Sequence, residues 1–131
     1  MGHLTVKTGK NKQVLDITEL VEEELGKSDV KNGICHIFVL HTTASITTAD
    51  LDPGTDLDLL DFLEEIVPEM DFRHPHNPGH TPDHILSSII GSSLSVPVEN
   101  GQLVLGVWQR IILIELDGPR ERELAVTLVS A

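Results

Sequence analysis

Aromatic residues are scarce in this sequence. It has no tyrosine, one tryptophan and three phenylalanines, which together make 3% of the chain, whereas hydrophobic residues of all kinds make 40%. That hydrophobic share is ordinary for a soluble globular protein. The core must therefore be built from aliphatic side chains. A chain of 131 residues is long enough for one such core and too short for two, so we interpret residues 1–131 as a single domain.

Basic residues are also few. Nine lysines and arginines stand against 21 aspartates and glutamates, which gives a formal net charge of -12. A protein that binds a phosphate backbone or an anionic membrane surface needs a basic face. The charge balance therefore argues against nucleic acid and membrane as partners, although it leaves room for a small basic pocket.

Cysteine is limited to Cys35, which excludes an internal disulfide and agrees with a reducing compartment. Cys35 lies inside an apolar run, where a small buried side chain is the plainer interpretation than a metal ligand. No apolar run approaches the roughly 20 residues that span a bilayer, and the N-terminal residues lack the order of a signal peptide. We therefore expect a cytoplasmic protein.

The periodicity of apolar residues predicts an α+β fold. Asp16 precedes Glu19 by three residues, the spacing of a helix capping box. Thr81-Pro82-Asp83 has the composition of a helix start with Thr81 as the N-cap. The predicted strands are residues 4–8, 14–16, 34–40, 94–98, 103–106, 107–116 and 123–129. Three helices are predicted: one begins at Asp16, one begins near Thr55, and the third spans residues 82–90.

Histidine is concentrated in one segment. Four of the seven histidines lie in Arg73-His-Pro-His-Asn-Pro-Gly-His-Thr-Pro-Asp-His84, and His41 ends an apolar run just before Thr42-Thr43-Ala44-Ser45. Neutral imidazole is a common ligand for divalent transition metals and the side chain best suited to acid and base work near pH 7. The clustering indicates a functional site. The alternative is a proline-rich surface loop whose imidazoles are only solvated.

Several separated segments carry a family resemblance. They are His41-Thr-Thr-Ala-Ser45, His84-Ile-Leu-Ser-Ser-Ile-Ile-Gly91, Val96-Pro-Val98, Gly101-Gln-Leu-Val-Leu-Gly-Val-Trp-Gln109 and Glu115-Leu-Asp-Gly-Pro-Arg120. In this order, over residues 4–129, they resemble the YjbQ family, also called secondary thiamine-phosphate synthase enzymes. The resemblance implies an α+β, β-sandwich-like fold with antiparallel or mixed sheets and two or three short helices. It also implies a homotrimer, a histidine-lined pocket that often holds metal, and a weak thiamine-phosphate synthase activity.

The resemblance also suggests ligands for a divalent metal, with zinc as the first choice. The family's histidines match His41, His84 and, in the loop, His74, with His76 and His80 as rivals for the loop position. Three imidazoles from a strand end, a loop and a helix start would leave an open position on the ion, as catalytic zinc sites do. The chain departs from the family at Asp83, where members commonly have alanine.

Further residues are candidates for binding a phosphorylated substrate or another small anion. Arg120 matches phosphate oxygens through its guanidinium group, and hydroxyls can donate to the same anion. Trp108 and Gln109 would stack on and hydrogen-bond to a heterocycle, although core packing explains Trp108 alone. Glu115 lies in an apolar run and needs a partner such as an arginine or a histidine. The substrate-binding candidates are Thr42, Thr43, Ser45, Trp108, Gln109 and Arg120, and the catalytic candidates are His74, His84 and Glu115.

The leading hypothesis is a metal-assisted enzyme. By the resemblance, it would join a hydroxymethyl-pyrimidine pyrophosphate to a thiazole phosphate with loss of pyrophosphate. One alternative is a trimeric protein that binds a metal or a small anion without turnover. Another is an enzyme that acts on a different phosphorylated small molecule, because folds and pockets are often reused.

Overall fold

The structure is a computed structural model that describes residues 2–131. These residues form eight strands, three α-helices and one 3₁₀ turn. The strands are β1 (Gly2–Lys7), β2 (Gln13–Asp16), β3 (Gly33–Val39), β4 (Ala44–Ala49), β5 (Ser93–Glu99), β6 (Gln102–Leu103), β7 (Arg110–Glu115) and β8 (Glu121–Ser130). The helices are α1 (Thr18–Gly26), α2 (Thr55–Glu65) and α3 (Thr81–Ile90), and the 3₁₀ turn is Pro78–His80. None of these helices is both long enough and apolar enough to cross a bilayer.

The strands make two sheets. The larger sheet has the order β1-β8-β3-β5-β6, and the smaller sheet has the order β2-β7-β4. All strand pairings within residues 2–131 are antiparallel. The predicted α+β class is confirmed, and of the two sheet types left open by the sequence the antiparallel one is correct.

Strand β7 lies in the smaller sheet, which is the middle layer between the larger sheet and helices α2 and α3. Its residues Ile111 and Leu113 pack with the inner face of the larger sheet and with α1. Its residues Ile112 and Ile114, with Leu116 just beyond, pack against Leu63 and Leu86 and so face α2 and α3. Because both faces of β7 are buried, its sequence is a continuous apolar run instead of an alternating one.

Strand β7 begins three residues later than predicted. The residues before it form a turn in which the N–H of Gln109 donates to the carbonyl of Gly106 over 3.1 Å. The side chains of Val107 and Trp108 are exposed on this turn. The same turn shortens the predicted strand 103–106 to β6, which ends at Leu103. Apolar residues at a loop tip misled the prediction, because a run of β-type residues does not by itself indicate burial.

The two predicted helix caps are wrong. Ile17 occupies the N-cap position of α1, and Asp16 instead accepts hydrogen bonds from the N–H and hydroxyl of Thr18, at 3.0 and 2.7 Å. The 3₁₀ turn runs directly into α3, so Thr81 already has helical backbone angles and His80 takes the N-cap position. Thr81 is therefore the first residue of α3, and its hydroxyl has no hydrogen-bond partner among residues 2–131.

Candidate functional site

One end of the two-sheet sandwich is closed by a buried ion pair. Glu115 ends β7, and Arg122 points inward from β8, with 0% and 2% of their side chains exposed. The Nε of Arg122 donates to Oε1 of Glu115 over 2.9 Å, and its Nη2 pairs with Oε2. The prediction that Glu115 needs a charged partner is confirmed, and that partner is Arg122.

Glu115 has further donors. The Thr8 hydroxyl donates to Oε1 over 2.7 Å, and the N–H of Asp117 donates to Oε2 over 3.1 Å. Burial favours the neutral acid, but the hydrogen bonds from Arg122, Thr8 and Asp117 outweigh it and lower the pKa of Glu115. The carboxylate is therefore ionised and fully engaged, which favours a positioning role over the predicted catalytic one.

Arg122 also holds the hydroxyl-rich segment that follows His41. Its Nη2 donates to the carbonyl and the hydroxyl of Thr43, at 3.1 and 2.9 Å. Thr43 and Ser45 are both buried, whereas Thr42 is exposed. Of the three hydroxyl groups predicted to bind an anion, only that of Thr42 is open to solvent in a single chain.

His41 is fixed by a backbone hydrogen bond. Its Nε2 accepts the N–H of Glu123 over 2.8 Å, so the neutral ring carries its proton on Nδ1. Burial and then the nearby charge of Arg122 lower the pKa of His41. A metal could bind Nε2 only if this hydrogen bond were given up, and in this conformation His41 is a neutral acceptor.

His74 and His84 lie side by side. Their ring centroids are 5.1 Å apart, with an angle of 33° between the ring planes. His76 lies farther from His74, at 6.3 Å, and is more exposed. Nδ1 of His74 accepts long hydrogen bonds from the N–H groups of His76 and Asn77, at 3.3 and 3.4 Å. Two of the three predicted metal ligands are thus neighbours.

The complete set of three histidines is not assembled within one chain. In residues 2–131, the only group of three histidine, cysteine or acidic side chains whose ligand atoms all lie within 4.8 Å of one another is His80, Asp83 and Asp117. His41, by contrast, faces the backbone of β8. A site of His41, His74 and His84 therefore needs either a rearrangement or a contribution from another subunit.

The predicted substrate-binding residues are divided between the two ends of β7. Trp108 and Gln109 precede the strand, whereas Arg120 follows it beyond the Asp117 turn. A strand of this length spans about 20 Å at roughly 3.3 Å per residue. Within one chain, Trp108 and Arg120 therefore cannot meet the same small ligand.

Trp108, Gln109 and Arg120 also differ in how far other residues of the chain hold their side chains. Trp108 is 72% exposed, so the expectation that it packs in the core is wrong. The Gln109 amide is engaged, since its Nε2 donates to the Thr48 hydroxyl over 3.2 Å and its Oε1 accepts the N–H of Gly106 over 2.8 Å. Arg120 is held by Asp117, with its Nε on the carbonyl at 2.6 Å and its Nη2 on the carboxylate at 2.9 Å. Its side chain remains more than half exposed.

Sequence reasoning did not assign the contacts of three residues at the Glu115 end of the molecule: Lys12, Asp117 and Arg122. Leu124 and Val126 lie two and four residues after Arg122 and are buried. Residues two apart in a strand share a face, so this spacing could have placed Arg122 on the inner face of β8. Lys12 pairs with Asp83 across more than half of the chain. No local pattern signals a contact between positions so far apart in sequence.

The two antiparallel sheets, the flanking helices and the histidines at one end define a small α+β domain of a recognised type. The model of the family described as "UPF0047 protein YjbQ-like" matches residues 2–131, and the chain belongs to this family. It is 39% identical to the UPF0047 protein YugU of Bacillus subtilis, over 96% of each chain. It is 38% identical to a UPF0047 protein of Methanocaldococcus jannaschii, over 95% of this chain and 90% of the relative.

Solved structures agree with this assignment. A YjbQ/UPF0047 protein of Clostridium acetobutylicum is 37% identical and superposes with a TM-score of 0.91, over 98% of this chain and 100% of that one. A YbjQ-like protein of unknown function from Sulfolobus solfataricus is 36% identical, with a TM-score of 0.92, over 99% of this chain and 96% of that one. The resemblance seen in the sequence is confirmed as family membership.

Proposed function

We propose that this protein is a metal-dependent enzyme that acts on a phosphorylated small molecule. The observation that carries the proposal is the neighbouring pair His74 and His84, whose ring centroids are 5.1 Å apart. Two neutral imidazoles at this separation can ligate one divalent ion, with zinc as the first choice. Binding through Nε2 of His74 requires its Nδ1 to become the protonated nitrogen, so Nδ1 must give up the long hydrogen bonds from His76 and Asn77 and turn away from these two donors.

The first reaction to test is the transfer suggested by the family resemblance, in which a pyrimidine pyrophosphate and a thiazole phosphate are joined with loss of pyrophosphate. A bound divalent ion supplies charge stabilisation for a leaving pyrophosphate. In the chain itself, Thr42 and Arg120 are the exposed groups that can bind phosphate oxygens. Arg122 and Glu115 keep the Thr43 segment in place, and thereby orient Thr42.

We further propose that the working protein is a homotrimer in which a neighbouring subunit completes the site. The outer face of the larger sheet exposes Ile34, Phe38 and Val129, an unusual set of apolar side chains for a solvated face. Val107 and Trp108 project from a turn and are also exposed. Since Trp108 lies too far from Arg120 within one chain, a neighbour's Trp108 is the copy that can reach a shared ligand.

The metal content of the protein tests the proposal that His74 and His84 bind a divalent ion. Untagged wild-type protein would be measured by inductively coupled plasma mass spectrometry beside His74→Ala, His84→Ala and His41→Ala, with His3→Ala on the exposed side of β1 as the matched control. We expect near-stoichiometric metal in the wild type and in the control, and loss of metal in His74→Ala and His84→Ala. Folded wild-type protein without metal, or equal metal in all variants, would contradict the proposal.

Turnover separates an enzyme from a binding protein. Phosphorylated pyrimidines and thiazoles would be incubated with metal-loaded protein, and the release of pyrophosphate or phosphate would be followed. An enzyme loses this activity in His74→Ala and retains it in His3→Ala. Metal or anion binding without turnover of any substrate, at high protein concentration, would favour the rival function of a binding protein.

Light scattering after size-exclusion chromatography tests the assembly. We expect a trimer for the wild type and a smaller species for Phe38→Asp, which places a charge on the apolar outer face. Phe62→Asp, which makes the same change at an exposed position on α2, away from the larger sheet, is the matched control. A wild type that stays monomeric at micromolar concentration would refute the trimer.

A further inference from the structure

We propose that His80, Asp83 and Asp117 form a second divalent-cation site, separate from the His74 and His84 pair. The three residues come from the 3₁₀ turn, the first turn of α3 and the loop after β7. Nδ1 of His80 lies 3.1 Å from Oδ1 of Asp117 and 3.8 Å from Oδ2 of Asp83. One imidazole and two carboxylates suit Mn²⁺, Fe²⁺ or Zn²⁺, and three protein ligands leave positions open for water or substrate.

Each carboxylate is already oriented by a cation. Lys12 pairs with Oδ1 of Asp83, and Nη2 of Arg120 donates to Oδ2 of Asp117 over 2.9 Å. In both residues the other oxygen is the one that faces His80. In metal sites, residues that hydrogen-bond to a ligating carboxylate commonly fix one of its oxygens, so that the other oxygen can bind the ion.

The site is sheltered on the carboxylate side and open on the histidine side. The side chains of Asp83 and Asp117 are 11% and 12% exposed, whereas that of His80 is 38% exposed. An ion can therefore enter past His80 and reach carboxylates that are held in place. Ligand atoms that now lie within 4.8 Å of one another would have to approach slightly, since ligand bonds of about 2.0–2.2 Å set closer spacings.

Ser87 provides a separate indication. It is 5% exposed, and its hydroxyl has no hydrogen-bond partner among residues 2–131. It follows Asp83 by four residues, on the same face of α3, and helical side chains lean toward the N-terminal end. One helical turn therefore separates this buried, unpartnered hydroxyl from Asp83, and a water bound beside Asp83 is a candidate partner for it.

The local charge predicts reversible binding. Lys12 and Arg120 balance the two carboxylates, so these acids are stable without an ion. Metal should therefore bind without being needed for folding, and a chelator should remove it without unfolding the protein. This distinguishes the site from a structural zinc site, whose loss unfolds the domain.

The experiment counts bound Mn²⁺ by the loss of its free electron paramagnetic resonance signal. The reference protein is the double variant His74→Ala/His84→Ala, so that the result does not depend on the proposed zinc site. His80→Ala and Asp117→Asn are then added to it one at a time. The matched control is Asp61→Asn, which makes the same charge change as Asp117→Asn at an exposed position on α2. Circular dichroism confirms that each variant is folded.

We expect the reference protein to bind one Mn²⁺ per chain. His80→Ala and Asp117→Asn should each weaken that binding at least tenfold, while Asp61→Asn leaves it unchanged. Failure of the folded reference protein to bind Mn²⁺ would overturn the proposal. An equal loss in Asp61→Asn would do so as well, because it would show that the ion sits diffusely among surface carboxylates.

Discussion

Arg122 on β8 and Glu115 on β7 join the two sheets through an ion pair that is buried from solvent. The same guanidinium group donates to the carbonyl of Thr43, two residues after His41. His41 in turn accepts the N–H of Glu123, the residue after Arg122. The ion pair thus joins the end of the sandwich to the hydroxyl-rich segment, and the backbone of the next residue, Glu123, holds a candidate site histidine.

Removing one partner of this pair should destabilise the protein strongly. We expect Glu115→Gln to lower the free energy of unfolding by about 3–5 kcal/mol, because it leaves a buried guanidinium group without its counter-charge. The measurement is urea unfolding. The exposed pair Lys7 and Glu121, 3.8 Å apart, provides the control: Glu121→Gln should change stability little. The double variant Glu115→Leu/Arg122→Met should recover much of the loss relative to Glu115→Leu and Arg122→Met alone, and a loss equal to the sum of these two single losses would contradict a coupled pair.

Acidification should weaken the fold through His41. The pKa of His41 is lowered in the folded state by burial and by Arg122, so the fold favours the neutral ring. The stabilisation is present above the unfolded pKa of about 6.5 and is lost as the pH falls toward the folded pKa. We expect the unfolding free energy, measured in the presence of a chelator, to decrease from pH 7.5 to pH 5. The decrease should be smaller in His41→Gln, and identical slopes in the two proteins would contradict this assignment.

Cys35 should be inert while the protein is folded. The residue is fully buried, and burial raises the pKa of its thiol to about 11. Because the thiolate is the reactive form, labelling by a disulfide reagent at pH 8 should be at least a hundredfold slower in the native protein than in urea. Rapid labelling of native protein, without loss of its circular dichroism signal, would show that β3 opens locally.

Asp16 should matter for the start of α1 although it is not the N-cap. One oxygen accepts hydrogen bonds from Thr18, and the other accepts Nε of Arg110 over 2.7 Å. Partial burial opposes ionisation of Asp16, but these donors outweigh it and lower its pKa. Asp16→Ala should therefore cost about 1 kcal/mol of unfolding free energy, as the loss of a helix-start acceptor does. Glu23→Ala, on the exposed side of α1, should cost much less in the same thermal or urea unfolding experiment.

The elements of the fold were largely predictable, because apolar periodicity is a local property of the chain. Strand β3 begins and ends one residue earlier than predicted, and helix α3 begins one residue earlier. One strand, β4, was not predicted, and the other errors came where short-range chemistry was ambiguous. Thr81 has the composition of an N-cap, but the preceding turn, Pro78–His80, already has helical geometry. Trp108 has the character of a core residue, but it occupies a turn.

The candidate site was only partly predictable. The sequence pointed to His74 and His84, which the structure places side by side. It also required a partner for Glu115, since an unpaired buried carboxylate is costly. It could not reveal that His41 is bonded to the backbone at Glu123, or that Trp108 and Arg120 lie at opposite ends of β7. These facts depend on strand pairing between distant segments.

By itself, the sequence determined the α+β class, the aliphatic core, the family and the concentration of histidines before α3, because composition, periodicity and motifs are properties of the chain itself. Only the tertiary structure decided which charges meet. Lys12 reaches Asp83, and Arg122 reaches Glu115, because the two sheets and α3 bring their ends together. Side-chain pairing at a site follows from the register and packing of whole elements, and many sequence positions could have supplied each partner.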